Sequence, residues 1–257
     1  MSSSVPGAVA GLREALLAAA GTDSELATLL HAYLAPVPEP DLLGLEPEAL
    51  ASLARTHLAA RSRRTKGEHL VEVLTPGPAG AIVLVVSEDQ PFLVDTVILE
   101  LTRQEWSLRR LFHPQPQVTR DAEGQLLTLG SGPTESWIAV EAYPPLGKAA
   151  ADLTDALAAG LHIALDTVTA TYTDWQPMLA RCREAIAELW AGGRNRPEVA
   201  AAVDLLDWLA AEHFVFLGYA RYEAVAGGLA PVAGTGLGPV PTAVPRVAIA
   251  VFMSSPD

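Results

Sequence analysis

One cysteine, Cys182, stands in 257 residues. No disulfide can therefore form within the chain, and that usage fits a reducing cytoplasm. Cationic side chains are also scarce. Seventeen Lys and Arg face thirty Asp and Glu, leaving a formal charge of −13, which repels a phosphate backbone and excludes a nucleic-acid partner. No apolar run reaches the roughly 20 residues that span a bilayer. The opening MSSSVPGAVAGLREALLAAA has no basic stretch before its apolar residues, and Arg13 and Glu14 interrupt them, so a signal peptide is not expected. These absences predict a cytoplasmic protein with no membrane partner. Aromatic residues are only 6% and charged residues 18%, while half the chain is hydrophobic, too apolar for disorder. The densest basic patch, Arg61, Arg63, Arg64 and Lys66, reads as the solvated end of a helix.

Periodicity divides what is present. Residues 8–65 repeat leucine at helical spacing (Leu12, Leu16, Leu17; Leu26, Leu29, Leu30, Leu34; Leu50, Leu53, Leu58), with the proline-rich APVPEPD breaking the run. From His69 the period becomes two. HLVEVLTP alternates, PGPAG turns, and AIVLVV (81–86) is a wholly apolar β-branched run expected of a strand covered on both faces. PFLVDTVILELTRQE then returns to helical spacing through Leu93, Val94, Val97, Ile98 and Leu101. WSLRRLFHPQPQVTRD (106–121) is extended, DAEG turns it into QLLTLG, and ESWIAVEAY is a further strand. A leucine seam over 149–172 predicts a helix, and two more follow, one capped by Asp174 with Cys182 on its apolar side and one opening at Pro197. HFVFLGYARYE (213–223) reads as a strand, and VAIAVFM (247–253) as a buried strand with nothing left to cover it, so the chain is expected to be a fragment of something longer. The expected divisions are a helical segment 1–65, an α/β domain 66–172, a helical pair 173–212, and a following β segment 213–257 that looks truncated.

Catalytic chemistry is hard to find. The six histidines fall on different elements without a second ligand at metal spacing, so no metal site and no catalytic residue is expected. Ser136 lies on a strand with no base in view, and His113, beside two prolines, is expected to be structural. Gly234-Thr235-Gly236-Leu237-Gly238 resembles a dinucleotide loop, but PVPTAVP follows where a helix must start. It reads as a plain loop, and no cofactor is expected in this segment. The remaining candidate is the strand–loop–helix junction Ser87–Asp95. Ser87 and Gln90 have capping-box spacing, Asp89 is an alternative cap and Pro91 suits a first turn. Capping is the simpler use. The other is an anion site made by the backbone N–H groups of the helix start, although Glu88 and Asp89 place negative charge beside it.

SEDQPFLVDTVILELTRQEW, FHPQPQVTRDAEGQL, ESWIAVEAY, DWQPMLARCREAIAEL and LLDWLAAEHFVFLGYARYE, in this order, resemble the N-terminal region of the large NAD-specific glutamate dehydrogenases of bacteria, over about residues 25–240. The resemblance implies an α+β fold: an ACT-like, ferredoxin-like antiparallel sheet with helices, flanked by further helical segments. It also implies a non-catalytic regulatory and oligomerisation role within a homo-oligomeric enzyme that converts glutamate to 2-oxoglutarate and ammonia. NAD and the catalytic domain would then belong to the rest of the chain, its expected partner. ACT modules often bind amino acids at the first strand–helix loop, which implies an amino-acid effector at Ser87, Asp89, Gln90, Pro91, Phe92 and Leu93. Phe92 stands where the family's D-x-P-G pattern has glycine. A stand-alone amino-acid sensor is the alternative, and an enzyme working through His113, Asp89 and Asp95 a third.

Overall fold

The computed structural model describes residues 5–60, 63–77, 80–193, 196–225 and 228–240. Three helices open the chain: α1 (Val5–Ala18), α2 (Ser24–Leu34) and α3 (Pro47–Ala60). Asp23 starts α2 by accepting a hydrogen bond from the Leu26 N–H at 3.0 Å, and the proline-rich break between α2 and α3 is relieved as one 3-10 turn, Glu39–Leu42. The strands follow, β1 (Leu70–Gly77) and β2 (Gly80–Glu88), then α4 (Leu93–Arg103), β3 (Ser107–Phe112), β4 (Gln117–Arg120), β5 (Leu126–Tyr143) and α5 (Thr154–Thr173). The sheet is antiparallel with order β1-β2-β5-β3, and β4 pairs the first half of β5 as the hairpin read from DAEG. This is the ACT-like α+β arrangement. The two central strands, β2 and β5, are the apolar runs, as burial on both faces requires.

The alternation of side chains gives each sheet face its own cover. Leu84, Val86, Phe112, Val118, Trp137 and Ala139 pack with Leu26, Leu29, Leu30, Tyr33, Leu34, Leu50 and Ala54 of α2 and α3 in one core cluster. The N-terminal helices therefore share the sheet's core. His57 is part of this seam, fully buried, with the Tyr33 hydroxyl and His57 Nδ1 2.7 Å apart. Burial lifts the Tyr33 hydroxyl well above its usual pKa, so it stays protonated. On the opposite face lie Val83, Val85, Ile138 and Val140. The buried stripes Leu93, Val97, Leu101 of α4 and Leu157, Leu161, Leu165 of α5 supply its cover. The two helices touch at Gly160, where a β-carbon would run into Glu100 of α4 and Gln104 just past its end.

Within the basic patch Arg63 and Lys66 are exposed as expected and Arg61 lies outside the described residues, but Arg64 departs from the expectation. Arg64 is not a solvated helix end but is 6% exposed, with Nη2 2.8 Å from Glu135 Oε1. The same carboxylate takes Arg120 Nε at 2.7 Å and Arg120 Nη2 at 2.9 Å, and the Trp137 indole N–H donates to it at 2.9 Å. Burial alone would raise the Glu135 carboxyl, but these hydrogen bonds and the Arg64 charge outweigh it and hold it below the ordinary value. Gly124, with φ +82°, closes the hairpin against the Arg64 backbone, and the Arg64 N–H donates to Gly124 O at 2.9 Å.

The chain forms two compact units, Met1–Asp166 and Thr167–Asp257. In the second, α6 (Trp175–Gly193) packs on α7 (Pro197–Trp208), which runs into a π turn over Leu209–His213. Cys182 is buried there as a small hydrophobe, its thiol raised above the usual pKa by burial and by Asp207. The expected strand 213–223 is largely absent. Only Tyr222 and Glu223 of that segment are in a strand, β6 (Tyr222–Val225), paired with β7 (Gly228–Pro231). Residues 214–218 have strand-like composition but no partner edge among the described residues, and a strand exists only where another backbone takes its hydrogen bonds. VAIAVFM (247–253) lies outside the described residues. Among them, no helix is long and apolar enough to cross a membrane.

Candidate functional site

Sheet pairing decides the fate of the β2–α4 junction. β2 stays in register with β5 to the pair Ser87↔Ser136 and on to Glu88↔Glu135. Ser87 is thus a fully buried strand residue, and its hydroxyl donates to the Glu88 carbonyl at 3.1 Å. Asp89 Oδ1 accepts from Gln115 Nε2 at 2.9 Å. Neither residue caps α4, contrary to the capping reading. The cap position is Phe92, without a side-chain cap bond, and Pro91 precedes the helix in a turn. Glu88 is also turned aside: its carboxylate accepts the Gly67 N–H at 3.2 Å and lies 4.0 Å from Arg64.

Phe92 holds φ +70° and ψ 3°, the left-handed region that favours glycine, and it is 56% exposed. The loop therefore has a glycine-type backbone without the glycine. A left-handed non-glycine residue costs about 1–2 kcal/mol, against up to about 1 kcal/mol lost by adding glycine's freedom to the unfolded chain. Phe92→Gly is accordingly expected to be neutral or stabilising by up to about 1 kcal/mol. Phe92→Val, β-branched at positive φ, is expected to destabilise by about 1–2 kcal/mol. Urea unfolding midpoints of the two variants, read against the wild type, check the pair, and equal loss in both would refute the strain.

His113 and Ser136, separate in the sequence reading, meet here: His113 Nε2 is 2.7 Å from Ser136 Oγ. Burial lowers the His113 pKa and Asp89 partly opposes it, so the imidazole is neutral near pH 7. Ser136 is fully buried and stands opposite Ser87 in the sheet. His69, 6% exposed, continues the polar row beyond Ser87. Its pKa is lowered by burial first, with Asp166 raising and His162 lowering it. The junction thus combines the buried Ser87 and Ser136, the half-buried His113 and an uncapped helix start. Gln115, which anchors the loop through Asp89, had no signal in the sequence beyond its place between two prolines.

The glycine run does not fit a dinucleotide. Gly234–Gly238 lies in turns, and Leu237 bridges to Tyr219. The Gly238 N–H donates to Asp174 Oδ2 at 2.7 Å. A β-carbon at Gly238, with φ +67°, would lie 2.6 Å from Leu217 O. Glycine serves close packing here, and a carboxylate already occupies the N–H. Among the described residues no group of three or more His, Cys, Asp or Glu could hold a metal ion.

Comparison with known proteins gives the family. The sequence model of the family described as "Glutamate dehydrogenase, ACT1 domain" matches residues 29–157, from α2 through the sheet into α5. An NAD-specific glutamate dehydrogenase of Halomonas elongata is 31% identical over 219 residues, 78% of this chain and 13% of that protein. One of Pseudomonas aeruginosa is 33% identical over 147 residues, 55% of this chain and 9% of that protein. The chain therefore spans about an eighth or less of the length of these relatives. With the family's ACT1 region aligned across the helices and sheet described above, this chain belongs to the glutamate dehydrogenase ACT1-domain family.

Proposed function

We infer that this chain is a regulatory and assembly portion of a cytoplasmic, homo-oligomeric NAD-dependent glutamate dehydrogenase, the oxidation of glutamate to 2-oxoglutarate and ammonia being carried out by residues outside it. The supporting observation is the β2–α4 junction: an uncapped helix start with the buried Ser136 hydrogen-bonded to the half-buried His113, in a chain whose relatives are named for that enzyme and are several times longer. An amino-acid effector would place its carboxylate at the N–H groups following Phe92. Ser87 would shape the floor, Asp89 would offer a carboxylate to the ammonium, and Gln90, Pro91, Phe92 and Leu93 would form the rim. Glu88 turns away toward Gly67, which removes one of the two negative charges that would oppose such a ligand.

The test is steady-state oxidation of glutamate by the full-length parent in the presence of a panel of amino acids. At least one is expected to alter the rate. Untying the loop with Asp89→Ala and Gln115→Ala together is expected to shift its half-effect concentration by about tenfold, a coupling change of about 1.4 kcal/mol. Abolition of turnover by His113→Ala or Asp95→Asn in a folded enzyme would instead place chemistry in this chain and end the reading. So would a response to effectors that ignores the loop variants altogether.

A further inference from the structure

The Thr167–Asp257 unit holds a cleft that the reading above does not use. It measures about 430 Å³ and opens between one side of α6 and the turns that carry the glycine run, its walls including Arg181, Glu188, Tyr219, Arg221, Tyr222 and Thr235. That volume lies within the roughly 300–1,000 Å³ of small-molecule sites. Local structure holds its walls. Arg181 pairs with Glu184 on α6 at 2.6 Å. Thr235 Oγ1 donates to Val232 O at 2.7 Å and accepts the Arg221 N–H at 3.1 Å. Leu237 N–H donates to Tyr219 O at 2.8 Å. The backbone is committed, but several side-chain groups are not: the Arg221 guanidinium, the Glu188 carboxylate and the two tyrosine hydroxyls have no hydrogen bond or ion pair with other described residues.

The charges lining this space decide what it suits. Arg181 and Arg221 are balanced by Glu184 and Glu188, and Asp174 already holds the Gly238 N–H of the adjoining loop. A polyphosphate would meet two carboxylates and a loop N–H already taken, and a simple cation would meet two guanidinium groups. Arg181 and Glu184 already answer each other, and a ligand with separated charges of both signs satisfies the remaining pair, Arg221 and Glu188. We propose that this cleft is a second small-molecule site, binding a zwitterion of the amino-acid or short-peptide class, its carboxylate on Arg221 and its ammonium on Glu188, with Tyr219 and Tyr222 against its carbon chain. Arg is suited to the first role because its planar fork takes a carboxylate bidentately.

Calorimetric titration of the 257-residue chain with zwitterionic amino acids and dipeptides tests this, alongside amides lacking the carboxylate and N-acetyl derivatives lacking the ammonium. At least one zwitterion is expected to bind, with both blocked forms weakened by tenfold or more. Arg221→Ala is expected to weaken it by at least about tenfold and Glu188→Gln by about fivefold, the usual range for losing one charge-assisted partner. Asp89→Ala, in the other unit, is expected to leave this affinity unchanged, which separates this site from the β2–α4 junction. Circular dichroism confirms that each variant is folded. No binding up to about 10 mM, binding indifferent to Arg221→Ala and Glu188→Gln, or binding lost in Asp89→Ala alone would each overturn the assignment.

Discussion

Glu135→Ala is expected to lower the unfolding free energy of the Met1–Asp166 unit by about 3–5 kcal/mol, the loss typical of removing one partner from a buried ion pair. Two guanidinium groups depend on this carboxylate, those of Arg64 and Arg120, and both residues are at most 9% exposed. With Glu135 gone they are left as like charges in a dry site, and the Trp137 N–H loses its acceptor. The cost comes from stranding the partners, so replacing all three charges with apolar residues is expected to recover most of it. The pH dependence has a definite sign. The folded carboxyl is held below its unfolded value, so its contribution is complete above the unfolded pKa of about 4.3 and is lost as pH falls through the depressed folded value. The stability gap between wild type and Glu135→Gln is therefore expected to narrow as pH drops below about 4.3. Urea titrations at a series of pH values read both effects. A loss under about 1 kcal/mol, the range of a surface pair, would mean that water reaches the arginines.

Trp137→Ala is expected to cost a further large amount, about 3–5 kcal/mol, as for other fully buried aromatic truncations. Trp137 has no solvent exposure and lies where the sheet meets the N-terminal helices, its ring centroid 5.1 Å from that of His57 on α3. His57 in turn is bonded to Tyr33 of α2. Removing the indole opens a cavity under two helices at once, and a site tied to both cannot easily collapse to fill it. Because Trp137 also donates to Glu135, the two losses should not add. A double-mutant cycle between Glu135→Ala and Trp137→Ala is expected to give a coupling of about 0.5–3 kcal/mol. Strict additivity would show that the hydrogen bond contributes nothing and that the tryptophan acts through packing alone.

The elements of the sheet domain were legible because each has a period that local sequence carries. AIVLVV became β2, buried on both faces, and the Leu93–Leu101 stripe became α4. The DAEG turn became the β4–β5 hairpin. The junction was legible only in outline. Ser87 and Gln90 have the spacing of a capping box, but pairing of β2 with β5 continues through Ser87 and Glu88 and takes the serine into the sheet. A ladder formed with a strand some 48 residues away overrides a local cap. The meeting of His113 with Ser136 had the same kind of cause, since residues 23 positions apart are joined by the return of the chain.

By itself, then, the order of residues determined the alternation of strands and helices, the anionic surface and the lack of any local phosphate-binding or metal-binding motif. Each of these depends on neighbours a few positions apart or on composition. Only the tertiary structure decided which charges are buried and which backbone groups are left over. Arg64 looks like any solvated arginine until Glu135, 71 residues later, is brought beside it, and Phe92 looks like a plain replacement of the pattern's glycine until its left-handed φ appears. Burial and hydrogen-bond satisfaction are properties of the packed whole, set by which distant segments exclude water together.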